Sequence, residues 1–152
     1  MKNLLTPTLV LSLLVAACGG DAPDAEMPAD DGMMMSEQPI GTVTILQPAN
    51  NGDVTGTTVA VRLSVAGFPI VEAGNMTPGT GHHHLYLDAD VSNVTTPVPT
   101  VPGSIVHMGN GASEYTFENV SVGPHRLIAV VADGAHVPLQ PLVVDTVVFT
   151  VH

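Results

Sequence analysis

The chain is short of residues on which several protein classes depend. It holds a single cysteine, so no disulfide can close within it, and neither a blue-copper centre nor a thiolate zinc site can be built in the part beyond that cysteine. Three basic residues stand against 14 acidic ones, for a formal net charge of -11. No basic patch is therefore available to displace counterions from nucleic acid or to hold anionic headgroups. Tryptophan is absent and aromatics make up 3% of the residues, which leaves Val, Leu and Ile to form any core. Helical periodicity of useful length is missing throughout, and the longest apolar run, Leu4 to Ala17, is too short to span a bilayer.

That run is nevertheless informative. Met1-Lys2 followed by Leu4, Leu5, Leu9, Val10, Leu11, Leu13, Leu14 and Val15 has the basic start and apolar middle of an export signal. Val15-Ala16-Ala17-Cys18 resembles the bacterial lipobox, which implies a signal peptide over 1–17 and a diacylated Cys18 as lipid anchor. Gly19 after the cysteine implies the outer membrane in a Gram-negative cell, with the protein on its periplasmic or surface face. From there to residue 39 the composition is Gly, Asp, Ala, Pro, Glu and Met without a basic side chain, which predicts a disordered acidic tether. Met33-Met34-Met35 within it offers thioethers that could hold Cu(I) in passing.

Strand patterns dominate residues 40–152. Val59, Val61, Leu63 and Val65 alternate with Ala60, Arg62 and Ser64, a strand buried on one face. Leu127, Ala129 and Val131 alternate with Ile128 and Val130, a strand buried on both. Asn110-Gly111 marks a hairpin, and Gln47 to Asp53 reads as a turn. About seven short strands separated by turns predict an all-β, immunoglobulin-like antiparallel sandwich, with a Greek-key barrel as the alternative.

Three of the seven histidines open the third of these strands, in Gly81-His82-His83-His84-Leu85. Alternation puts His82 and His84 on one face and His83 with Leu85 and Leu87 on the other. In an immunoglobulin-like sandwich the loops before this strand, after the fourth and after the sixth share one end. His82, His84, His107 and His136 are therefore expected to converge, with His83 and Met108 as further candidate ligands. Neutral imidazole suits copper or zinc, and the affinity of four ordinary histidines would fall between about pH 7 and pH 5, across their reference pKa of about 6.5. His125 is expected at the opposite end as a structural contact, and the terminal His152 as mobile. Glu114 and Asp88 are carboxylates that nothing in the sequence fixes as a catalytic base, and no strained nucleophile motif supports a Ser-His-Asp centre.

Taken together, Gly79-Thr80-Gly81-His82-His83-His84-Leu85, His107-Met108-Gly109-Asn110-Gly111 with Glu114, Gly123-Pro124-His125-Arg126-Leu127 and Asp133-Gly134-Ala135-His136-Val137-Pro138 resemble the bacterial family called domain of unknown function 4399, over roughly Ile40 to His152. The resemblance implies an exported, immunoglobulin-like domain and leaves the biochemical role open. Relatives often carry an aromatic at the place of Met108 and a histidine at the place of Leu139. The expectation is a lipid-anchored envelope protein whose histidine pole binds copper before zinc, for buffering, sensing or transfer. The competing class is a structural module that meets an envelope protein or a glycan without metal. A copper redox enzyme resembling superoxide dismutase would need a fuller ligand set.

Overall fold

The computed structural model describes residues 41–152. The expected signal peptide, Cys18 and the tether lie outside the described residues. Eight strands follow one another: β1 (Thr42–Gln47), β2 (Gly52–Val54), β3 (Val59–Ala66), β4 (His82–Leu87), β5 (Ile105–Met108), β6 (Glu114–Phe117), β7 (Gly123–Ala132) and β8 (Val144–Val151). They form two sheets, β1-β3-β6 and β2-β8-β7-β4-β5. Every pairing is antiparallel except that of β2 with β8. The result is an immunoglobulin-like β-sandwich, with one strand more than expected.

The additional strand is β2, in the stretch that reads as a turn. Three residues are too few to show a period of two, and the pairing is tertiary. Asn51 N donates to Val148 O at 2.7 Å, Val148 N donates to Asn50 Oδ1 at 3.1 Å, and the chain then runs parallel to β8.

The three-stranded sheet has one wet face. Along β3, Val59, Val61 and Leu63 are buried while Ala60, Arg62 and Ser64 are exposed. Its inner residues meet Leu85, Leu87, Leu127, Ala129, Val131, Val147 and Phe149 of the larger sheet in the main core. Fully burying such side chains contributes roughly 1.5–3 kcal/mol each, so this layer carries most of the hydrophobic stabilisation.

The larger sheet is covered on both faces. Tyr86, Ile105, Ile128 and Val130 point away from the main core and pack with Val98, from the long connection between β4 and β5, as a second apolar cluster. The histidine-bearing face of β4 is this outer one. His82 and His84 share it with Tyr86, beneath neighbouring loops, and are fully buried. The sequence suggests a strand mouth, but the structure places both residues within the sheet.

Candidate metal centre

Register brings the imidazoles together. His84 on β4 pairs with His107 on β5, and directly opposed residues in an antiparallel pair project to the same face. His82, two residues earlier, pairs with Ala132 at the end of β7. Just beyond Ala132 the chain turns on Asp133, whose Oδ1 accepts from Ala135 N and Val137 N, both at 2.9 Å. His136 N donates to Asp133 O at 2.9 Å, and His136 takes φ of 69°. That left-handed conformation costs a non-glycine residue about 1–2 kcal/mol, and such strain concentrates at functional sites. Here it swings the fourth imidazole back over β4.

Ring-centre separations are 4.9 Å for His82–His84, His82–His107 and His82–His136, 5.1 Å for His84–His107, 5.7 Å for His84–His136 and 4.6 Å for His107–His136. An imidazole bonded to an ion at about 2.0 Å holds its centre about 3.2 Å away, so four rings in tetrahedral array have centres roughly 5 Å apart and ligating nitrogens roughly 3.3 Å apart. The four ring centres fit that spacing, while the nitrogens group in threes, with His84 outside the set formed by His82, His107 and His136. His84 Nε2 and His82 Nε2 face each other at 3.0 Å, and one nitrogen each from His82, His107 and His136 lie within 4.8 Å of one another. Buried nitrogens of His82 (Nδ1), His84 (Nδ1) and His107 (Nε2) have no partner in the protein.

Electrostatics disfavours the charged form of His82, His84 and His107. Burial, then the neighbouring His107 and His136, push His82 down to about 4, against a smaller opposing pull from Asp133. Burial and then His82, His107 and His136 push His84 down to about 3. His107 is lowered by burial and by His136. A cluster of buried imidazoles resists protonation because each added charge would be desolvated and would repel the others. Neutral rings are what a metal requires. The expected loss of affinity between about pH 7 and pH 5 is therefore moved downward for the buried pair.

Space for His107 is made by Gly109. A Cβ there would fall 2.6 Å from His107 Nε2, so the absence of a side chain lets the ring fold back across the hairpin.

The other candidate residues lie elsewhere. His83 and Met108 pair with each other on the inner face, where Met108 belongs to the main core and His83 Nδ1 lies 3.0 Å from Ala112 O. The period of two, which joins His82 to His84, sets these two on the far side of the sheet. Leu139 also packs into the main core. Glu114 pairs with Arg62 on the exposed face of the smaller sheet.

His125 lies near the start of β7, clasped between Asp88 Oδ2 at 2.6 Å and Ser121 O at 2.7 Å. Burial alone would lower its pKa, but the Asp88 carboxylate and the Ser121 carbonyl outweigh it and hold the ring above its ordinary value. Ser121, His125 and Asp88 have the residue types of a hydrolase triad. However, Nε2 donates to the carbonyl and stands 3.5 Å from Ser121 Oγ, so it is not available as a base. His152 is tied to Asp53 Oδ1 at 2.7 Å and through its backbone to Val54 O, held by β2 where mobility was expected.

Nothing local in the sequence marks Gly109 as the space beside His107. Asp133-Gly134 carries a turn signal, but its relation to His82 is tertiary.

No curated protein matches the chain. Among solved structures, a crystallographic engineered protein from a structural genomics consortium is similar over 74% of this chain and 20% of its own, with 15% identity and a TM-score of 0.41. The chain thus spans about a fifth of that protein's length. The family described as Domain of unknown function (DUF4399) matches residues 61–152, from β3 through every histidine of the site. The chain belongs to that family.

Proposed function

We propose that this is an envelope lipoprotein whose four-histidine centre, His82, His84, His107 and His136, binds a transition metal, copper before zinc, for buffering, sensing or transfer. The observation that carries the reading is the convergence of four imidazoles from three separate segments at separations suited to one coordination sphere. Buried ring nitrogens without a partner carry a cost, and an ion relieves it on each ring that turns its unpartnered nitrogen to the metal. Copper stands before zinc because imidazole sites follow the divalent order in which Cu(II) binds most tightly. Two rings are buried and two, His107 and His136, are half-buried, which gives an ion a side from which to approach and leave. The envelope part of the proposal rests on the leader and on Val15-Ala16-Ala17-Cys18, with membrane attachment through lipidated Cys18.

Calorimetric titration of Cu(II), Cu(I) and Zn(II) into the whole chain tests the centre, beside a His84→Ala, His136→Ala double variant. Saturable one-to-one binding that the double variant loses is expected. Absence of saturable binding in the wild-type chain would overturn the proposal in favour of an interaction module for an envelope protein or glycan.

A further inference from the structure

The long connection Gly67–Gly81 is stapled to each segment that carries a site histidine. Val71 N donates to Gly81 O at 2.8 Å, beside His82. Ala73 N donates to Gly109 O at 2.9 Å, two residues past His107. Gly74 N donates to Gly134 O at 3.1 Å, two residues before His136. Residues 73–76 thus lie against the residues that follow His107 and the turn that precedes His136. Gly134 permits this approach, because a Cβ there would collide with Asn75 O and would stand 2.9 Å from Met76 Sδ. Met76 is the one methionine of the sandwich at the surface, 67% exposed, whereas Met108 is sealed in the main core. Its thioether sits against the turn that presents His136.

The thioether also selects the ion, because soft sulfur ligands favour Cu(I).

Resting on the metal reading above, we infer that the centre takes its copper as Cu(I), and that Met76, held beside the turn that presents His136 by the Gly67–Gly81 connection, is the soft ligand through which the ion enters and leaves.

The test is an anaerobic competition titration with a chromogenic Cu(I) chelator. It uses the whole chain carrying Cys18→Ser and Met27, Met33, Met34 and Met35→Leu, so that Met1 is the one other sulfur left outside the core. Met76→Leu in that background is expected to lower Cu(I) affinity on the order of tenfold and to slow exchange with the chelator, while Zn(II) affinity stays within about twofold. Unchanged Cu(I) affinity and exchange in Met76→Leu, with both ions still bound, would overturn this inference and leave the four-histidine centre standing. Equal losses for Zn(II) and Cu(I) would overturn it as well, since they would report a disturbed loop. If neither ion binds the parent chain, the metal reading fails and this inference with it.

Discussion

A methyl group on Gly109 would stand 2.6 Å from Nε2 of His107. The hairpin between β5 and β6 and the His107 ring therefore compete for one volume. Gly109→Ala is expected to turn the His107 ring out of the cluster and weaken metal binding by about tenfold to a hundredfold, the range that follows when support for a ligand is lost. Its overpacking cost to the fold is about 1–3 kcal/mol. Zinc titration and thermal unfolding of the variant check both, and wild-type affinity would show that His107 is not a ligand.

At His136 the demands of stability and of the site oppose each other. Glycine accepts the 69° φ without the penalty a histidine bears. In metal-free protein His136→Gly is expected to leave the thermal midpoint unchanged or raised, while its metal affinity falls by at least about a hundredfold. A lowered midpoint in the absence of metal would contradict the account of the turn.

The buried pair also fixes how metal-free protein responds to acid. His82 and His84 bind protons less readily in the folded chain, at about 4 and about 3, than the 6.5 of the unfolded chain. Their depressed values make the folded state's advantage complete above pH 6.5. It declines as pH falls from there toward about 4 and then 3, because the unfolded chain takes up protons first. Denaturant midpoints measured down this range should fall, and less steeply in a His82→Gln, His84→Gln variant. A parallel decline in both proteins would show that the pair does not titrate as described.

His125 has the opposite sign. Its raised value means that the stabilisation from Asp88 and Ser121 is full below the unfolded 6.5 and is lost as pH rises through the folded value. His125→Ala is expected to cost about 1–3 kcal/mol on the acid side of that window, the range for losing a buried charge-assisted hydrogen bond, and less on the alkaline side. Metal affinity should not change. Urea unfolding at two pH values, with a metal titration alongside, separates the two poles.

How much of this was legible in the sequence follows from which facts are local. The facing of His82 and His84 comes from a period of two, and the strand that covers both its faces, β7, shows itself as an unbroken apolar run. The gathering of His107 and His136 with them follows from which loops share an end in a sandwich. Burial was not legible, because the cover over the outer face comes from Val98 and its neighbours far along the chain. The acid shift of His82 and His84 was hidden for the same reason. Met108 beside His107 reads as a neighbour in sequence, yet alternation puts the two on opposite faces of β5. β2 has no local signature, and Asp133-Gly134 signals the turn without the left-handed φ at His136.

The four histidines occupy the outer face of the five-stranded sheet, and the layer between the two sheets contains none of them. The inter-sheet core is thus built without any of the candidate ligands, unlike small domains in which metal binding is itself the folding energy. On the proposed reading, cargo and container are separate: an ion could leave and return while the architecture persists, and the histidine face could be rewritten for another ion without redesign of the sandwich beneath it.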